Sequence, residues 1–143
     1  MEPFTLIMAD GGCLWEARWD EQRLHVQRLD PSGCYLWSSA TLYDAHWRAR
    51  RQRWFAEWLA THAEPDAEAI LHFHRHGGEP DSWNGFVMNR HDLVRTVSIT
   101  QVVCAPPRLS MTYHDLLRQA VRNDELSLAR NPMPCPEFST DRP

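Results

Sequence analysis

The chain has 143 residues, enough for one domain with a single buried core, and its 43% hydrophobic and 24% charged residues are ordinary for a globular protein. The formal net charge is −4 and the basic residues are all arginine, without the concentrated basic surface of a nucleic-acid-binding protein, so we expect no nucleic acid partner. No apolar run reaches membrane-spanning length and the N-terminal residues lack a secretory signal, which predicts a cytoplasmic protein with no membrane association.

The first third of the chain predicts an antiparallel meander of four strands. The strands are expected over residues 4–9, 13–19, 23–29 and 34–38. Alternation is clearest in the second strand, where the odd-numbered residues from Cys13 to Trp19 share one face. Turn-forming sequences rich in Asp, Gly and Pro separate the strands.

Two helices are predicted next. The first begins after Tyr43 with Asp44 as its N-cap, because large apolar residues then recur at helical spacing. We interpret its arginines as a solvated face; an anion site would need groups from another element. These arginines are at positions 48, 50, 51 and 53. The second helix opens at Pro65-Asp66 and ends at Gly77-Gly78.

The rest of the chain returns to strands. A short strand is predicted over 85–88, a long alternating strand over 93–103, another strand over 109–113 and a short helix over 114–121. This order predicts an α+β fold in which antiparallel sheets carry the two main helices on one face. We expect a single domain over 1–121, followed by a mobile Pro-rich tail over 122–143.

Most groups able to do chemistry lie between positions 70 and 103. His72 and His76 are four residues apart, so on a helix they share a face and could bind a metal, with His91, Glu79 or Asp81 as a third ligand. Against this, the spacing lacks the glutamate of zincins, and histidine near a helix C-terminus is favourable without any metal.

The other candidate ligand-binding residues are His74, Asn84, Asn89 and Arg90, which lie near loops where binding groups gather. Within this region, the loop over 77–84 is where we would expect a ligand. No catalytic residue and no cofactor are predicted, because the chain has neither a glycine-rich phosphate loop nor the GxSxG turn that would expose a serine. The four cysteines form no CxxC pair and are interpreted as buried free thiols in a reducing compartment.

Six short strings, taken in order, resemble one protein family. They are EPFTLI at 2–7, LWSSATLY at 36–43, RQRWFAEWL from 51, ILHFH at 70–74, VMNR at 87–90 and TVSITQV at 96–102. Together they are similar to the NRDE family, which includes the transport and Golgi organisation 2-like proteins. The resemblance runs from Glu2 to about Leu117 and covers only the C-terminal half of such proteins.

The resemblance implies half of an αββα sandwich of the N-terminal-nucleophile hydrolase type. Family members begin with Met-Cys, whose cysteine would be the nucleophile, and carry an Asn-Arg-Asp-Glu signature soon after it. This chain begins Met1-Glu2, and the string NRHD at 89–92 lies in the wrong half to be that signature. No family catalytic residue can be carried over, and whether the chain is an enzyme stays open.

The expected function is therefore a non-catalytic or incomplete NRDE-like module concerned with binding or assembly. A half-sandwich leaves a sheet face and a sheet edge without cover, so we expect a homo-oligomer or a separate N-terminal half as partner, unless the chain is a truncated product. Two alternatives remain. One is part of an N-terminal-nucleophile amide hydrolase completed by a missing N-terminal half, and the other is a metal-binding protein acting through His72 and His76.

Overall fold

A computed structural model describes residues 1–10, 12–39 and 42–128. Within these ranges the chain forms two helices and eight strands, and the strands make three antiparallel sheets. The predicted α+β class is therefore confirmed. Met1–Asp44 belongs to one compact unit, and the chain from Ala45 to the end of the last strand belongs to a second. No helix in the described ranges combines the length and apolar character needed to cross a membrane.

The first unit contains a three-stranded meander. Its strands are β1 (Phe4–Asp10), β2 (Cys13–Trp19) and β3 (Leu24–Leu29), with β2 in the middle. Ala17 of β2 lies opposite Leu6 on one side and Val26 on the other, and it is buried. The period-2 pattern thus correctly predicted a strand over 13–19, since side chains alternate between the two faces of a sheet.

The predicted fourth strand of the meander, over 34–38, is wrong. This segment is irregular and is held by side-chain bonds instead of a strand ladder. The Trp37 indole Nε1–H donates to the Glu16 carboxylate at 2.7 Å, and the Tyr35 ring stacks on Trp37 at 5.6 Å between centroids. The Tyr35 hydroxyl bonds the backbone of Asp30 at 3.1 Å. Aromatic residues with a polar tip can anchor a loop as well as fill a strand, and the pattern CYLWS does not distinguish the two.

The second unit begins with the two helices, α1 (Ala45–Thr61) and α2 (Ala67–His76). The Asp66 carboxylate accepts the Ala69 backbone N–H at 2.8 Å, so Asp66 is the N-cap of α2. The helices meet around Phe73, which is 2% exposed and lies 4.7 Å from the Trp58 ring. The stop after α2 is also confirmed: Gly78 has φ +78°, and a Cβ there would lie 2.5 Å from Cε3 of Trp54.

A small hairpin follows the helices. It pairs β4 (Asn89–Arg90) with β5 (Val94–Arg95). The strand predicted over 85–88 is wrong, because Gly85 N–H bonds back to the Asp81 carbonyl at 2.9 Å and turns the chain. The long strand predicted over 93–103 is interrupted at Thr96, which bonds Met88 through its backbone at 2.9 Å.

The third sheet is a meander of β6 (Ser98–Ala105), β7 (Arg108–Asp115) and β8 (Ala120–Ser127), with β7 in the middle. The helix predicted over 114–121 is wrong. The Asp115 carboxylate accepts the backbone N–H groups of Leu117 and Arg118 at 3.0 and 2.9 Å, which closes a turn, and β8 then pairs with β7.

The expected mobile tail is wrong for residues 122–127, which lie in β8; the part from 129 onward lies outside the described residues. Helix α2 lies on one face of this sheet. Gln101 of β6 donates to the Ala67 carbonyl at the start of α2, and Arg75 of α2 donates to Nδ1 of His114 on β7 at 2.9 Å. Helix α1 packs in turn on α2, where the rings of Phe55 and Trp58 lie 5.6 and 4.7 Å from that of Phe73.

Candidate functional site

The segment between α2 and β4 is organised by a buried arginine of α1. Arg51 is 6% exposed, and its Nη1 donates to the carbonyls of Asn84 and Gly85 at 3.0 and 3.2 Å. Its guanidinium lies over the Phe86 ring, 4.1 Å from the centroid. The solvated-face interpretation is therefore wrong for Arg51. A signal for the burial of Arg51 was present in the sequence, because Arg51 precedes Trp54 by three residues and therefore lies on the same face of the helix.

The loop that Arg51 holds is also braced from within by Asp81. Its carboxylate accepts the backbone N–H of Trp83 at 2.7 Å and both the backbone and side-chain N–H groups of Asn84 at 3.2 and 3.3 Å. These bonds, chiefly that from Trp83, hold the pKa of Asp81 below its ordinary value. Gly85 is required here, since a Cβ would lie 2.4 Å from the Asp81 carbonyl oxygen.

Two of the four candidate ligand-binding residues meet in this loop. Arg90 donates through Nε to the Trp83 carbonyl at 2.8 Å and through Nη2 to Asn84 Oδ1 at 3.1 Å. Asn89 is directed elsewhere, because its side chain closes a turn with Asp92 through bonds of 2.8 and 2.7 Å. Asn84 and Arg90 thus make a braced polar pair, and a ligand-binding role for them stays a prediction.

His74, the fourth candidate, lies on α2 with its ring edge against Phe86 at 5.8 Å between centroids. Burial in this aromatic setting lowers the pKa of His74 below its ordinary value of 6.5, and the positive charge of Arg51 lowers it further. The neutral imidazole is therefore the favoured form at neutral pH. The aromatic partners also explain why a histidine can occupy a position that faces apolar groups.

The predicted metal ligands are only partly brought together. The rings of His72 and His76 lie 4.8 Å apart on α2, as their spacing requires. His91 instead lies edge-on to the Trp83 ring at 5.1 Å. In the described part of the chain no three histidine, cysteine or acidic side chains converge in a way that could hold a metal ion. Metal binding by His72, His76 and His91 stays a prediction.

The interpretation of the cysteines as buried free thiols is wrong for three of them. Cys13 is disulfide-bonded and buried, while Cys34 and Cys104 are free and exposed. Cys135 lies outside the described residues. A disulfide is more typical of an oxidising environment than of the reducing one assumed from cysteine spacing. A cytoplasmic location stays a prediction.

Sequence reasoning missed His114, which lies near the end of β7, the middle strand of the third sheet, and is 9% exposed. Its Nδ1 accepts a bond from Arg75, and arginine cannot accept one in return, so a neutral ring carries its hydrogen on Nε2. That Nε2 has no hydrogen-bond partner among the described residues. No local pattern marked this histidine, because the burial depends on α2 packing across the sheet.

Among the residues that the structure describes, helix α2 covers one face of the third sheet and nothing packs on the other. Alternate residues of its strands point away from α2 and remain exposed by 37% to 66%. They are Val102 of β6, Met111 and Tyr113 of β7, and Leu126 of β8. The register places Val102 opposite Met111, and it puts Arg122 and Asp124 of β8 on the same face; we call this surface, with its exposed apolar side chains, the open face.

Comparison with protein-family models, with curated proteins and with solved structures finds no match for this chain. Function must therefore be inferred from the geometry of the chain itself. Two features of that geometry point to possible functions. One is the braced loop around Asn84 and Arg90, whose polar groups largely bond one another, and the other is the open face, whose apolar side chains remain exposed.

Proposed function

We propose that this chain is a non-catalytic or incomplete NRDE-like module that functions by binding and assembly, and that its partner covers the open face. The open face is the observation that carries the proposal. In an αββα sandwich two sheets stack through apolar faces while helices cover their outer faces. The third sheet, with α2 on one face and exposed apolar side chains on the other, has the character of one half of such a stack.

The size of the open face sets a requirement on the partner. Three strands spaced about 4.8 Å apart and eight residues long span roughly 14 by 26 Å, a footprint of about 400 Å². A standard specific interface buries about 800 Å² per partner. The partner must therefore contact more of this unit than the open face alone. A single weak hydrophobic contact would not offset the entropy lost on association.

A homo-oligomer is the arrangement that can be tested directly. We expect wild-type protein to sediment as a species heavier than the 16.7 kDa chain. Met111→Lys should reduce association, because it places a charge in the centre of the open face. Lysine is chosen because position 111 lies opposite Asp124, so the new charge meets an acid across the strands and the fold itself is not penalised.

Leu93→Lys is the matched control. Leu93 is 88% exposed but lies in the turn between β4 and β5, away from the third sheet. It should leave the sedimentation of the wild-type assembly unchanged. A folded wild-type chain that stays monomeric from about 1 to 200 µM, well above the concentration at which a micromolar complex forms, would contradict self-assembly.

The alternative is an amide hydrolase whose missing N-terminal half supplies the second sheet. The open face would then receive that sheet instead of another copy. The two are separated by adding an N-terminal half of the family type to purified protein. Under the alternative, the wild-type chain should form a one-to-one complex with it and gain amide-hydrolysing activity, and Met111→Lys should prevent both.

A further inference from the structure

The third sheet has a free edge as well as an open face. Building on the proposed assembly function, we propose that two copies of this chain join through antiparallel pairing of their β6 strands, which places their open faces side by side. The observation behind this is a strand edge that carries no charge, pairs with no other strand among the described residues and lines an open groove beside α2.

Hydrogen bonds next to the strands fix which backbone groups of β6 face outward. Leu116 N–H donates to the Val97 carbonyl at 3.0 Å, and the register continues from this pair as Ser98 opposite Asp115. In an antiparallel ladder hydrogen-bonded and non-bonded pairs alternate. The odd-numbered residues of β6 therefore bond to β7, and the backbone groups of the even-numbered residues point to the free edge. The outward residues are Ser98, Thr100, Val102 and Cys104.

The β7–β8 ladder gives an independent check. Leu128 N–H donates to the Pro107 carbonyl at 2.8 Å, which makes the odd-numbered residues of β7 the ones that bond β8. The even-numbered residues of β7 are then left to bond β6, in agreement with the first assignment. By the same rule the outward backbone groups of β8 belong to its odd-numbered residues, including Asn123.

The free edge of β6 is accessible. A cavity of about 380 Å³ is lined by one side of α2, including Ile70 and His74, and by every residue of β6 from 99 to 104. Successive side chains of a strand point to opposite faces, so a cavity that touches six consecutive residues runs along the backbone edge. No strand pairs with this edge among the described residues of the chain. Such a groove accepts one more extended strand.

The charge pattern favours a second copy. Strand β6 carries no charged residue, whereas the opposite edge strand, β8, carries Arg122, Asp124 and Glu125. Charges on an edge prevent strand pairing, and their absence permits it. Two β6 strands centred on Gln101 would place Thr100 opposite Val102 and Ser98 opposite Cys104. Each of these pairs would occur twice about the two-fold axis, and all four would be hydrogen-bonded pairs. No like charges would lie opposite each other.

This pairing would leave the open face uncovered but would double the area that it offers to a partner. The two sheets would become one six-stranded sheet with the open faces side by side. Both α2 helices would lie on the other face near the junction, where Ile70, now 40% exposed, would gain cover. The edge supplies directed hydrogen bonds and the neighbouring helices supply apolar contact, so the two together make a larger interface than either alone.

The test uses proline at outward-facing positions. The Thr100 N–H points outward, so Thr100→Pro removes no bond to β7 but prevents pairing across the free edge. Asn123→Pro is the matched control, because it makes the same change on the free edge of β8. We expect sedimentation to show a dimer for wild type and for Asn123→Pro, and a monomer for Thr100→Pro. Circular dichroism establishes that each variant is folded.

Disulfide trapping tests the register without depending on proline. In a Cys34→Ser background, Ser98→Cys would lie opposite Cys104 of the second copy at a Cα separation of about 5.5 Å, which suits a disulfide. Mild oxidation should give a covalent dimer on a non-reducing gel. Thr100→Cys, which is out of register with Cys104, should not. Failure of Ser98→Cys to cross-link in a dimeric protein would overturn the register.

The outcomes separate this inference from the proposed function. A wild-type dimer that Thr100→Pro leaves intact while Met111→Lys dissociates it would overturn pairing through β6 and leave assembly through the open face standing. A wild-type chain that is monomeric at every concentration would overturn both. Dissociation by Thr100→Pro together with cross-linking by Ser98→Cys supports the inference.

Discussion

Replacing Arg51 with methionine is expected to destabilise the second unit markedly, although the two side chains are similar in length and both favour helix. The reason is that the Arg51 guanidinium donates to two carbonyls, those of Asn84 and Gly85, at 3.0 and 3.2 Å, and covers the Phe86 ring. Methionine keeps the apolar packing of the stem but leaves both carbonyls without this donor.

The magnitude can be worked from these contacts. A hydrogen bond to a charged group contributes about 1.5 kcal/mol at the low end, so losing two costs about 3 kcal/mol. The lost contact with Phe86 adds up to about 1 kcal/mol, and relief of the buried charge offsets part of the total. A net loss of about 3 kcal/mol is a large share of the 5–15 kcal/mol that is typical for a folded domain.

Urea denaturation monitored by tryptophan fluorescence measures this loss, since the chain has seven tryptophans and Trp54 lies close to Arg51 in α1. Arg53→Met is the matched control, because Arg53 is an exposed arginine of the same helix. It should change the free energy of unfolding by less than about 0.5 kcal/mol. Equal free energies of unfolding for Arg51→Met and Arg53→Met would refute the bracing role of Arg51.

Two further predictions concern protonation and thiol chemistry. Burial and Arg51 lower the pKa of His74 below 6.5, so below that pH the unfolded chain binds more protons than the folded one. The folded state is therefore most stable above pH 6.5, and its stability falls as the pH is lowered below that value towards the pKa of His74 in the folded protein. The His74→Gln variant should show a smaller decline in Tm between about pH 7 and pH 5 than the wild type. An equal decline in Tm for the two proteins would contradict this assignment. Cys34 and Cys104 should be alkylated in the native protein, and Cys13 should be alkylated only after reduction. Peptide mass spectrometry measures which cysteines are labelled. Labelling of Cys13 before reduction would exclude its disulfide.

The parts of the fold that the sequence predicted correctly are those with a strong local pattern. Strand β2 alternates over its whole length, and α2 opens after Pro65-Asp66 and ends at a glycine stop. The wrong predictions fall where short apolar runs are ambiguous. Residues 34–38 and 85–88 have the composition of strands, but Trp37 anchors the first segment to Glu16 and the Gly85 N–H bond turns the chain in the second.

The candidate site was less predictable, because its geometry depends on contacts distant in sequence. Asn84 and Arg90 were identified as polar loop residues, yet nothing local indicated that Arg51, more than thirty positions earlier, would bond the same loop. The open face was anticipated only in general, as a surface that half a sandwich would leave uncovered. Which strands form it depends on β8, which was predicted partly as helix and partly as tail.

The unequal edges of the third sheet also limit how far strand addition can proceed. A sheet whose two edge strands can both pair with further copies can add copies indefinitely and grow into a filament. Here the charged residues of β8 disfavour pairing at one edge of the sheet. The free edge of the uncharged β6 strand becomes paired when two copies join about a two-fold axis. Growth would stop after a single addition, which would protect the uncharged β6 strand from amyloid-like polymerisation.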